Sequence, residues 1–143
     1  MKLLKLLSRV LFLLLLSSSI SHAQDKFKVY NAAGDTAANH GNFYGAHQSY
    51  KLALEIREDV DVAWKAAEVC RKYQNYPKAE NFYRIVLAND SSKYPQAYYW
   101  YAEMLKFQGK YKAAAGAFKE YYRIHKNDRD YLSKKAKVEQ KIC

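Results

Sequence analysis

The stretch Gln74-Asn75-Tyr76-Pro77-Lys78-Ala79, followed by Tyr83 and then Val86-Leu87, has two counterparts in the chain. Upstream stand Gly41-Asn42-Phe43-Tyr44-Gly45-Ala46, then Tyr50, then Ala53-Leu54. Downstream stand Gly109-Lys110-Tyr111-Lys112-Ala113-Ala114, then Phe118, then Tyr121-Tyr122. The anchors Phe43, Tyr76 and Tyr111 are 33 and 35 residues apart, averaging 34. Each is followed by Ala at three residues, an aromatic at seven and an apolar residue at ten or eleven. These are helical spacings, so each set shares one face of a helix. The Ala lets two helices cross closely, and the aromatic beside it fills the remaining volume.

Before each anchor the pattern predicts a second helix with small residues on its packing face: Ala33, Gly34 and Ala37, then Ala66 and Ala67, then Ala102. Gly41 and Gly109 fall in the connecting turns, where a left-handed residue ends a helix. Pro77 and Pro95 fit helix first turns, and Asp59 and Ser92 fit N-caps. The expected helices are 26–39, 43–57, 60–73, 76–89, 95–107, 111–125 and 128–142. Only 5 Gly and 2 Pro are present in 143 residues, too few to punctuate an all-β fold. Half the residues are apolar, enough to bury a core.

A 34-residue helix–turn–helix period with a small–aromatic–Ala–aromatic pattern resembles the tetratricopeptide repeat (TPR) proteins. The resemblance covers 25–126 and implies an all-α fold, three repeats (about 25–58, 59–92 and 93–126) in a right-handed superhelix. Residues 127–143 would form a capping helix, the polar end that such arrays require. The first repeat departs from the pattern by carrying Ala37 and Ala38 where an aromatic is usual, and the closing proline is missing from its usual place.

Residues 1–23 have the three parts of a secretory signal. Lys2, Lys5 and Arg9 form a basic start, Val10 to Leu16 an apolar run, and Ser21-His22-Ala23 a cleavage site ahead of Gln24. The apolar run is shorter than the roughly 20 residues a spanning helix needs, so no transmembrane segment is expected after cleavage. The formal charge of +10 becomes +7 in the 120 residues that follow, 21 bases against 14 acids. Export removes nucleic acid as a physiological partner. The basic surface fits work near anionic envelopes or acidic partners, or a plain solvated helical exterior.

Two cysteines, Cys70 and Cys143, do not make a disulfide scaffold, and Cys70 reads as a small buried thiol. His40 and His47 lie seven apart, not at the three- or four-residue spacing that puts two imidazoles on one metal, and His125 is remote. No nucleophile elbow, phosphate-cradling loop or dinucleotide fingerprint occurs. The expectation is a protein without catalysis, cofactor or metal.

Function then rests on the concave surface that such arrays line with the first helix of each repeat. The predicted groove residues are Asn31, Asp35 and Asn39, then Trp64, Glu68 and Arg71, then Tyr99, Glu103 and Lys106. Trp64, Tyr99 and Arg71 are residue types that dominate protein interfaces, and Tyr99 is the position singled out for binding. Asn31, Arg71 and Lys106 suit a peptide carboxylate. Against this, Trp64 also fits packing between repeats, and Glu68 and Glu103 would partly neutralise the pocket.

A narrower resemblance rests on Ala63-Trp64-Lys65-Ala66-Ala67-Glu68-Val69-Cys70 and Ala97-Tyr98-Tyr99-Trp100-Tyr101-Ala102-Glu103-Met104-Leu105-Lys106. These look like the N-terminal TPR module of Bacteroidetes envelope proteins that continue into a β-propeller and an OmpA-like domain, some of them in type IX secretion and gliding. What this implies is an exported, periplasmic, outer-membrane-associated scaffold with a protein or peptide partner. Peptidoglycan binding would belong to the propeller-linked OmpA-like part, which this sequence does not contain. A spacer or self-association role in such a machine is the alternative, acting through Tyr44 or Tyr122.

Overall fold

Three turns with one geometry set the frame. Gly41 (φ 74°), Gln74 (φ 63°) and Gly109 (φ 72°) are left-handed. The residue after each donates its N–H back across the helix end: Asn42 to Ala37, Asn75 to Cys70 and Lys110 to Leu105, each at 2.9 Å. The helix thus ends with its last carbonyls satisfied. Gln74 takes the left-handed conformation that glycine supplies in the other two turns.

The computed structural model describes residues 23–89, 92–126 and 131–142, so the signal-like segment before Ala23 and Cys143 lie outside the described residues. Residues 23–39 are helical and form α1. There follow α2 (Phe43–Ile56), α3 (Val60–Lys72), α4 (Tyr76–Asn89), α5 (Ala97–Phe107), α6 (Tyr111–His125) and α7 (Tyr131–Ile142). Among the described residues all regular structure is helical. No described helix is long and apolar enough to cross a membrane.

Local chemistry explains most boundaries. Asn42 caps α2 by accepting from the Gly45 N–H at 2.9 Å, and Asp59 caps α3 by accepting from Asp61 and Val62 at 3.1 Å. Ser92 does not cap α5. That helix starts at Ala97, after a turn holding Pro95, and Gln96 ahead of it makes no side-chain cap bond. Its start therefore lies two residues later than the spacing predicts.

Each helix packs on its sequence neighbours, and the core runs along the array as a chain of clusters. The crossing alanines Ala46, Ala79 and Ala114 are fully buried, as are Tyr83 and Phe118, with Tyr50 nearly so. On α1 the close approach is at Gly34, while Ala33 is exposed. The second repeat is tied to the third by Glu80 of α4, which accepts from Arg84 (2.6 Å), Gln108 (2.9 Å) and Lys110 (2.6 Å). Burial opposes its ionisation, but these donors outweigh it and hold the carboxyl below its usual range. Cys70 is fully buried, its sulfur 3.6 Å from Tyr73 Oη, and burial pushes the thiol up to about 11.

His47 of α2 is 2% exposed, and both ring nitrogens lack a hydrogen-bond partner among the described residues. Its ring lies edge-on to Phe82 at 5.6 Å and tilted against Tyr73 at 6.1 Å. It borders a surface cavity of about 340 Å³ with Lys51, Lys78 and Phe82, yet the nitrogens themselves are sealed from it. Burial, then Lys78 and Lys51, lower its pKa from 6.5 to about 4. Between those values the unfolded chain binds more protons than the folded one, so stability falls as pH drops through that window. Thermal melts should show a loss of about 1–2 kcal/mol between pH 6.5 and 5. His47→Leu should abolish that loss; an unchanged pH profile in the variant would refute the assignment.

Candidate partner-binding groove

A carboxylate on the first helix of a repeat meets a tyrosine fifteen residues later on the second. Tyr50 Oη donates to Asp35 Oδ1 at 2.8 Å, and Tyr83 Oη donates to Glu68 Oε1. In the third repeat Phe118 has no hydroxyl, and Glu103 accepts instead from Tyr99 Oη of its own helix at 2.9 Å. Burial first, and the neighbouring carboxylate second, push the Tyr50, Tyr83 and Tyr99 hydroxyls above the usual phenol range. All three remain hydrogen-bond donors at neutral pH.

Cations then join one first helix to the next. Lys65 of α3 lies 2.8 Å from Asp35 Oδ1 and 3.2 Å from Asn31 Oδ1, both on α1. Arg71 of α3 pairs with Glu68 at 2.6 Å and donates through Nε to Tyr83 Oη at 3.2 Å. Its guanidinium lies 4.0 Å above the Trp100 ring of α5. Lys135 of α7 stands 3.3 Å from Glu103, and Lys106 of α5 bridges to Glu139 of α7. The ladder runs from α1 through α3 and α5 to α7.

This arrangement sorts the nine predicted groove residues. Asn31 and Asp35 are partly exposed on α1, Asn39 is exposed at its end, and Glu68 and Arg71 are partly exposed on α3. Lys106 is partly exposed and engaged with α7. Trp64 stacks on Tyr94 at 4.6 Å and meets Tyr83 edge-on at 5.7 Å, so it packs between repeats. Tyr99 and Glu103 are corrections. At 1% and 5% exposure they belong to the core, because α7 lays Ala136 and Lys135 against them. Asn31, Arg71 and Lys106, the residues expected to suit a peptide carboxylate, each face a partner within the fold, Lys65, Glu68 and Glu139 respectively.

Two residues of the row were not foreseen. Lys65 points along the array to a carboxylate 30 residues earlier, a contact that no local period announces. Trp100 is partly exposed on α5 and lies against Arg71, whereas Tyr99 is buried. A repeated Asp/Glu-to-Tyr spacing of 15 residues was visible in the sequence and would have marked Asp35 and Glu68 as structural anchors. The partly exposed row on α1, α3 and α5 is therefore Asn31, Asp35, Lys65, Glu68, Arg71 and Trp100. Among the described residues no group of three His, Cys, Asp or Glu side chains is placed to hold a metal.

No protein-family model matches the sequence, and no curated protein matches it. Solved structures do. An Arabidopsis OM64 TPR domain is similar with a TM-score of 0.65 at 18% identity, covering 83% of this chain and 94% of that one. The second TPR domain of human RPAP3, solved in complex with the HSP70 peptide SGPTIEEVD, is similar with a TM-score of 0.67 at 18% identity, covering 83% and 95%. At that identity the likeness is one of fold, and the fold of this chain is that of a TPR domain.

Proposed function

We propose that this chain is a non-catalytic protein-interaction scaffold of the bacterial cell envelope, exported and starting at Gln24 after cleavage, which binds a segment of a partner protein along its first helices. The observation that carries this reading is the row of half-exposed polar and aromatic side chains, Asn31, Asp35, Lys65, Glu68, Arg71 and Trp100, on three consecutive first helices. A TPR domain of the same fold is known with a peptide bound. The envelope assignment draws on the signal pattern of residues 1–23 and on the resemblance to periplasmic TPR modules. Each cation of the row is matched to a carboxylate, so recognition depends on complementary polar pairs and the Trp100 face rather than on net charge.

Asn31→Ala combined with Lys65→Ala tests this without touching the core, since the Lys65 side chain is 36% exposed. Loss of that pair should leave the melting temperature within a few degrees. Capture of the envelope partner should fall at least tenfold. Undiminished capture by a folded double variant would overturn the groove reading. It would favour the spacer or self-association role through Tyr44, 61% exposed, or the partly exposed Tyr122.

A further inference from the structure

The charge of this chain is not evenly spread. Residues 24–91 hold nine bases and nine acids, whereas residues 92–143 hold twelve bases and five acids. The whole net charge of the exported chain therefore sits at its C-terminal end. Much of it is exposed on α6 and α7. Lys112 and Lys119 of α6 and Lys126 at its C-cap recur every seven residues and are all exposed, which places them along one side of that helix. Lys134, Lys137 and Lys141, at spacings of three and four, form an exposed stripe on α7. None of these six has an ion pair among the described residues, unlike the lysines of the ladder. The Lys137 ammonium lies 5.7 Å above the Tyr122 ring, joining the two stripes across the α6–α7 seam.

Beside the α7 lysines runs a second stripe, Tyr131, Val138 and Ile142, spaced seven and four apart and 74%, 54% and 70% exposed. The outward face of α7 is thus divided lengthwise into cations and apolar side chains, while Ser133, Ala136 and Glu139 hold its inner face against the array.

We propose that the α6–α7 end docks on an anionic phospholipid surface, its lysines among the headgroups and Tyr131, Val138 and Ile142 at the acyl boundary. Charge complementarity is the first argument. Lysines near an anionic leaflet each add about fivefold to affinity, roughly additively, without needing to converge on one site. These six are spread over two helices and converge on no pocket. The second argument is size. A three-turn helix is about 18 Å long and offers far less than the roughly 1,200 Å² of a stable protein interface, but it suffices for a peripheral helix lying at a membrane boundary. The docking is independent of what occupies the first-helix row.

The test uses the chain from Gln24, which contains all of the described fold except Ala23, with helicity checked by circular dichroism. Vesicles of 30% phosphatidylglycerol in phosphatidylcholine are compared with pure phosphatidylcholine by co-sedimentation. Retention should be at least tenfold stronger on the anionic vesicles and should fall at least tenfold in high salt. The triple variant Lys134→Gln, Lys137→Gln and Lys141→Gln, and separately Val138→Asp, should each weaken it at least fivefold with unchanged melting. A charge-matched control, Lys26→Gln, Lys28→Gln and Lys51→Gln, should leave it intact. Equal retention on both vesicles, equal loss in the control, or wild-type retention in the α7 triple variant would overturn the proposal. So would much tighter binding to polyglutamate or duplex DNA than to the anionic vesicles, which would make this face one for an acidic macromolecule.

Discussion

Tyr83→Ala should destabilise the fold by about 4 kcal/mol, a large share of the 5–15 kcal/mol that holds a typical domain folded. The ring is fully buried on α4 and lies edge-on to Trp64 at 5.7 Å. Its truncation opens a cavity at the junction of two repeats, and close-packed neighbours cannot collapse into it without moving whole helices. The hydroxyl adds a second loss, because it donates to Glu68 and accepts from Arg71 at 3.2 Å. Tyr83→Phe separates the two effects. It keeps the ring, and Arg71 still bonds Glu68 at 2.6 Å, so the cost should be about 1–2 kcal/mol. Urea melts of the three proteins decide this; equal losses for Phe and Ala would mean that the hydroxyl network, and not the ring, holds the repeats together. The third repeat already shows how the fold manages without that hydroxyl: Phe118 stands there, and Glu103 draws on Tyr99 and Lys135 instead.

Gly34→Ala should cost about 2 kcal/mol despite the better helix propensity of alanine, worth about 1 kcal/mol in the other direction. A β-carbon at Gly34 would sit 2.3 Å from Tyr50 Cε1 and 2.5 Å from Cδ1. The ring cannot swing aside cheaply, being 2% exposed and tethered through its hydroxyl to Asp35 at 2.8 Å. Relief requires α1 and α2 to separate, so the first repeat should loosen first. Native-state hydrogen exchange should show amides of α1 and α2 losing protection in the variant while those of α5 and α6 keep theirs. A variant as stable as the parent would mean that the two helices cross less tightly than described. At Gly116, by contrast, nothing lies within 4 Å of an added β-carbon, and Gly116→Ala should be neutral or slightly stabilising.

The groove was harder to read in the sequence than the helices, and α5 shows why. Its stretch Tyr98-Tyr99-Trp100-Tyr101 is aromatic at four successive positions, so no hydrophobic period sets the rotation of that helix. Placing Tyr99 outward and Trp100 inward was as compatible with the pattern as the reverse. Packing of α7 decided it, burying Tyr99 and Glu103 and leaving Trp100 beneath Arg71. On α3, small and charged residues alternate, and there Glu68 and Arg71 fell where the period put them, partly exposed.

What was legible from residues alone was whatever depends on near neighbours along the chain. The 34-residue period, the aromatic–Ala–aromatic faces, the cap at Asp59 and the turns at Gly41 and Gly109 are set by contacts within a few residues, and each carries its own chemical mark. The ion pairs of Lys65 with Asp35, of Lys135 with Glu103 and of Lys106 with Glu139 join residues 30 or more apart on successive first helices. Nothing local distinguishes those lysines from the ones of α6 and α7 that have no ion pair among the described residues. Only the stacking of helix on helix separates the charges that pair across repeats from those it leaves facing outward, because a side chain's partner across a repeat depends on helix rotation, which packing sets and spacing does not.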